Sequence, residues 1–182
     1  MGDANMVSTG PGLLYAAALG TAEPIDATTA LAAAYRPLGF TGDGSVFSTA
    51  TTWNGIYVEE LLPAARWEPN QTVETLTFGM AESTKANLAL ALNKGAAVAN
   101  DAVALEPSTP AAFLRVMLVL QAVSGARYLF RRCIQTGATA MRNKKSPDKK
   151  LIPVVFTLED VSPALPWKLF PASAPAAVLG AV

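Results

Sequence analysis

Histidine is absent from the 182 residues, and cysteine occurs once, as Cys133. Without an imidazole there is no Ser-His-Asp or Cys-His nucleophile system and no histidine-containing zinc site. A single thiol excludes an intrachain disulfide and a Cys-cluster metal site. Aromatic residues make only 8% of the chain, and much of the 51% hydrophobic content is alanine. The expected core is therefore Leu, Val and a few Phe and Tyr, with Ala and Thr filling thin surfaces. No apolar run approaches the roughly 18 residues of a membrane span. The opening MGDANMVSTGPG is acidic where a secretory signal is basic, and Met6 stands where a myristoylation signal carries Ser or Thr. The expectation is a chain made as a soluble protein in the cytoplasm. Carboxylates and lysines could still do acid–base work, so an enzyme is disfavoured rather than excluded.

What is present is a zero net charge that hides a split. Residues 1–110 carry 11 acidic and 4 basic side chains, a net of −7; residues 111–182 carry 3 acidic and 10 basic, a net of +7. Such halves can pair within one fold, or head to tail between copies, as heterologous contacts in rings and filaments do. The length suits one domain with arms. The division expected is an N-terminal arm at 1–12, a β domain at 13–162, and a Pro/Ala-rich C-terminal arm at 163–182.

The most legible stretch is Thr72 to Gly95, TVETLTFGMAESTKANLALALNKG. Leu76, Phe78 and Met80 alternate with Val73, Thr75 and Thr77, a period of two that predicts a strand. From Ser83 the apolar spacing changes to that of a helix, expected over about 83–94, with Leu88 and Leu92 as its core contacts. Ser83 is the expected N-cap, Glu82 and Lys94 suit the two ends of the helix dipole, and Gly95 suits a left-handed stop.

Other elements follow in order. Leu13–Leu19 reads as a first strand or as the start of an arm that docks on a neighbour, and alanine-rich Asp26–Ala34 as a turn of helix stopped by Arg36-Pro37. Gly42-Asp43-Gly44 is a turn signal. Val46–Trp53 and Gln71–Met80 read as antiparallel strands around an excursion, with Ile56–Leu62 extended. Ala96–Pro110 is a loop. Phe113–Val123 and Ala126–Gln135 form a hairpin about Ser124-Gly125, with a bulge at Arg131-Arg132. Leu151–Asp160 is a further strand, and Trp167, Leu169 and Phe170 in the tail need a surface to pack on. The sum is a mainly β fold, an antiparallel β-sandwich or partly closed barrel with one flanking α-helix.

Two charge clusters are candidate sites. Arg142, Lys144, Lys145, Lys149 and Lys150 could contact phosphate or dock on an acidic neighbour, forming an inter-subunit basic loop. The plainer reading is a solvated loop, since no aromatics interleave as single-strand binding requires. Glu59, Glu60, Glu68 and Glu74 could supply the acid and base of a hydrolase. The plainer reading there is a solvated acidic face. Cys133 reads as a small core residue. No catalytic, cofactor or metal site emerges.

The strand running into AESTKANLALALN resembles the strand-to-helix junction of major tail tube proteins from long-tailed, non-contractile phages (siphophages). GLLYAAALGTAEPIDATTALAAAYRPLGFTGDGSVFS is similar to that family's start, and LIPVVFTLEDVSPALPWKLF to its late strand and closing segment. The basic run at 142–150 and the C-terminal tail fall outside the pattern. The resemblance implies a structural virion protein with neither catalysis nor cofactor. It implies homo-hexameric rings stacked head to tail, with hairpin strands of six subunits lining the tube, and with the long loop and terminal arms bridging rings. Tape-measure, terminator and baseplate proteins are the implied partners, and DNA passes through the lumen without specific binding. The four glutamates are then an expected acidic lumen face. Two other classes stay open at this point: a virion decoration or host-adhesion module on a similar sandwich, and a carboxylate hydrolase using Glu59 and Glu60.

Overall fold

The computed structural model describes residues 12–57, 59, 63–93, 113–140 and 151–172. These contain β1 (Gly12–Ala18), β2 (Arg36–Pro37), β3 (Thr41–Ile56), β4 (Arg66–Met80), α1 (Lys85–Ala91), β5 (Arg115–Ala122), β6 (Arg127–Gln135), β7 (Ile152–Leu158) and β8 (Trp167–Phe170). All pairings are antiparallel, in one sheet ordered β2-β1-β5-β6-β7-β4-β3, with β8 beside β6. One edge of β6 is shared, Arg127–Phe130 pairing with β8 and Cys133–Gln135 with β7.

The mainly β class, the antiparallel pairing and the single flanking helix are as expected. The sheet is open: it does not close into a barrel, and its terminal strands β2 and β3 are not paired to each other. It curls instead, so that Leu14, Leu118 and Phe130 from one half meet Leu76, Phe78, Val154 and Phe156 from the other in one buried cluster. A second cluster covers the opposite side of β1, β5 and β6, where Ala17, Met117, Val119 and Leu129 lie under Ala27, Tyr35 and Phe170. Val116–Leu120 of β5 is thus buried on both faces.

Asp26–Ala34 winds no helical turn. The Asp26 carboxylate accepts the backbone N–H groups of Thr28 and Thr29 and both their hydroxyls, offering the backbone an alternative to helix. Those bonds hold the Asp26 carboxyl far below its usual range. Arg127, 5% exposed, donates to the Asp26 and Thr29 carbonyls at 2.7 and 2.9 Å and to Gln121 Oε1 at 2.6 Å, fastening the segment to the sheet.

The Gly42-Asp43-Gly44 turn signal marks a bulge inside β3, between Gly42 and Ser45, where Gly44 takes φ +76°. The bulge expected at Arg131-Arg132 is present, opposite Met117. The β5–β6 loop spans Val123–Gly125, since the Ala122 N–H reaches the Ala126 carbonyl at 2.8 Å and Gly125 takes φ +91°.

The helix is shorter than expected. Thr84, not Ser83, caps it, accepting the Asn87 N–H, and it ends at Ala91. Its buried side is Asn87, Leu90 and Ala91; Leu88 is half-buried against the main core, and Leu92, beyond the last turn, is 38% exposed. Asn87 uses its whole amide: Oδ1 accepts from Arg36, and Nδ2 donates to the Leu38 and Glu82 carbonyls. Lys94, Gly95 and the Ala96–Pro110 loop lie outside the described residues. In the tail, Trp167 packs on the core and Phe170 is buried, so two of the three apolar residues find their surface; Leu169 is exposed.

Candidate functional site

The feature that the fold sets apart is the β3–β4 hairpin. Its strands pair from Thr41↔Met80 to Ile56↔Arg66, but β7 accompanies β4 only along Thr75–Met80. From Glu74 to Arg66 the pair runs on alone, a two-stranded ribbon about 30 Å long at 3.3 Å per residue. Such a ribbon has little stability by itself.

Alternation gives the ribbon two unlike faces. The core-facing side continues from Phe47 and Leu76, which pack in the body, through Thr49 and Glu74 to Thr51 and Thr72. A bulge at Asn70 then keeps Trp53 and Trp67 on that side, around Gly55. Tyr57 joins them: a side chain at Gly55 would come within 3.1 Å of its ring. Trp53, Tyr57 and Trp67 are 54%, 65% and 58% exposed, three aromatic side chains on one side that the described residues leave more than half bare.

The opposite side is built from Val46, Ser48, Ala50 and Thr52 of β3, Gln71, Val73, Thr75 and Thr77 of β4, and Val155 and Thr157 of β7. Ser48 and Thr75 share a hydrogen bond of 2.8 Å, and Thr136, just past β6, shares one of 2.6 Å with Thr157. None of these side chains ionises. Charges stand at its margins, already paired: Arg66 with Glu68 toward the tip, and Glu159 with Arg115 and Arg132 at 2.7 and 2.8 Å toward β6. The bond from Arg115 keeps the Glu159 carboxyl below its usual range against the opposing effect of burial, and Arg132 helps by charge.

The glutamates named from sequence do not share a face. Glu74 lies on the core-facing side and accepts the Trp167 indole N–H at 2.8 Å. Glu68 faces the other way beside Arg66, Glu59 is exposed at the tip, and Glu60 lies outside the described residues. Arg142, Lys144, Lys145, Lys149 and Lys150 also lie outside them. Cys133 is fully buried, and burial, with Glu159 nearby, pushes its thiol well above the usual range. Among the described residues no group of three His, Cys, Asp or Glu side chains could hold a metal, and no helix is long and apolar enough to cross a membrane.

An open sheet with one flanking helix and a projecting hairpin is a frame for association rather than for chemistry. The sequence profile of the phage tail tube protein family matches residues 1–164 of the 182. The chain belongs to the phage tail tube protein family. A search of the curated proteins finds no match. As a tail tube protein it is a structural subunit of the phage virion and not an enzyme, which removes the carboxylate-hydrolase alternative. The tryptophans on the ribbon were visible in sequence only as isolated aromatics. Their common face depends on the Asn70 bulge, which no periodicity announces. The hydroxyl side was half visible, in the alternation of Val73, Thr75 and Thr77.

Proposed function

We propose that copies of this tail tube subunit assemble into rings, six to a ring as the resemblance implies, which stack head to tail into the conduit for genome ejection. The observation that carries this is the ribbon with its uncovered aromatic side. Three rings of roughly 200 Å² each, somewhat over half exposed, leave on the order of 350 Å² for a neighbour to cover. At about 25 cal/mol per Å² that is on the order of 9 kcal/mol gross, before the costs of association. The open backbone edge of β3 adds a template for a further strand. The opposed charges of the two halves suit heterologous contacts between ring faces. In this scheme the arms at 1–12 and 163–182 and the basic run at 142–150 serve contacts between subunits, while Trp167–Phe170 also completes the sheet. Tape-measure, terminator and baseplate proteins are the partners, and the lumen carries DNA without specific binding.

Sedimentation of concentrated protein tests the proposal. The wild type is expected to form high-mass species, and the W53S/W67S double variant to stay a folded monomer with an unchanged circular dichroism spectrum. A wild type that remains monomeric at every concentration would contradict it.

A further inference from the structure

We infer that the hydroxyl side of β3, β4 and β7, whose Arg66–Glu68 pair stands at the tip, and not the core-facing side that carries Glu74, lines the lumen and faces passing double-stranded DNA. This rests on the tube assignment above and settles which side of the sheet looks inward.

Three observations carry it. First, ten neighbouring side chains from Val46–Thr52, Gln71–Thr77 and Val155–Thr157 show one side of the sheet, all are at least partly accessible, and none ionises. Lys, Glu, Arg and Asp are ordinarily the commonest exposed residues, so a surface of this size without them is unusual. Second, the composition is wrong for a protein–protein contact. Interface cores are poor in Lys, Glu and Asp, as this side is, but they favour Trp, Tyr, Phe, Met and Arg and are poor in Ser and Ala, whereas this side has Ser, Thr, Ala, Val and Gln and no aromatic residue. The aromatic side suited to burial is the other face of the same ribbon, so the two faces divide contact from solvent. Third, the hydroxyls are tied to one another across strands, Ser48 to Thr75 and Thr136 to Thr157. A wall of such groups is wet and of low relief.

The chemistry suits a conduit. DNA affinity comes chiefly from Lys and Arg neutralising phosphates with release of counterions. These ten side chains bring no cation to offer such release and no anion to repel an entering polyanion, and the Arg66–Glu68 pair at the tip is mutually neutralised. The arginines at the β6 margin share the Glu159 carboxylate, which offsets part of their charge.

The lone, fully buried Cys133 gives a silent background for thiol labelling. Single T75C and S48C variants are therefore assembled into tubes and treated with either a small maleimide or a bulky polymer-linked maleimide, with unassembled subunits as the control. Free subunits are expected to react with both reagents, and tubes with the small one at least tenfold faster than with the bulky one. Equal labelling by both along intact tubes would place this side outside. Labelling by neither, or loss of assembly on these near-isosteric changes, would make it a packed contact. Each of these overturns the inference and leaves the tube assignment standing. If the wild type forms no tubes, the assignment itself fails and takes the inference with it.

Discussion

Arg127 and Asn87 are buried polar residues with their hydrogen bonds made, and each fastens a segment that has no regular structure of its own. Arg127 reaches two carbonyls and Gln121 from a site 5% exposed. R127M keeps most of the volume but leaves the Asp26 and Thr29 carbonyls without their donor. Its expected effect is a loss of about 3 kcal/mol in urea unfolding, from the magnitude of charged hydrogen bonds and orphaned groups. Asn87 ties Arg36 and Leu38, 51 and 49 residues away, to the nearby Glu82 carbonyl, and N87A should lose about 2 kcal/mol by the same measurement. Neither residue stood out in the sequence. A buried Asn in an amphipathic pattern looks like any polar helix position, and an Arg beginning a strand looks like a surface charge. What gives them their roles is contact with segments far away in the chain.

The elements were legible where one face is dry and the other wet. β7 and the Gln71–Met80 part of β4 alternate cleanly, because a buried face imposes a period of two, though β4 begins five residues earlier, at Arg66. β5 and β6 also fall near their expected bounds, although β5 is buried on both faces and β6 is bulged. β3 was harder to bound: its Ser, Thr and Ala follow no strong pattern, and its length is set by pairing with β4. The helix shows how an end can slip by a residue when Ser and Thr stand side by side. T84A is expected to cost about 1 kcal/mol and S83A close to nothing, since only Thr84 accepts the Asn87 N–H. Likewise L90A should cost about 2–4 kcal/mol and L92A under about 1, because the first is 3% exposed and the second 38%. Reversal of the first order in chemical denaturation would place the cap at Ser83, and reversal of the second would turn Leu92 to the core, each as the sequence suggested.

At the scale of the whole molecule, a chain without histidine has no side chain whose ordinary titration falls between about pH 5 and 8. Glu23, bonded by Arg131, and Glu159, bonded by Arg115, have carboxyls depressed below 4.5. Groups depressed in the folded state lend stability that is present above their unfolded value and is lost as pH falls through the folded one. The urea midpoint should therefore be level from about pH 5.5 to 8 and fall below about pH 4.5. A midpoint that changes near neutrality would point to a group outside these pairs. Assembly belongs to this scale as well. The family and the sandwich-like β class could be read from turns and small residues, but not the open sheet or the two-faced ribbon, which depend on register and on a bulge. The most direct measurement is cryo-electron microscopy of the purified wild-type protein after concentration. Long tubes of stacked rings are expected, with Trp53, Tyr57 and Trp67 covered by a neighbouring copy. Dispersed monomers at all concentrations, or tubes in which those three rings stay bare, would contradict the assignment of the ribbon as the surface that builds the tube.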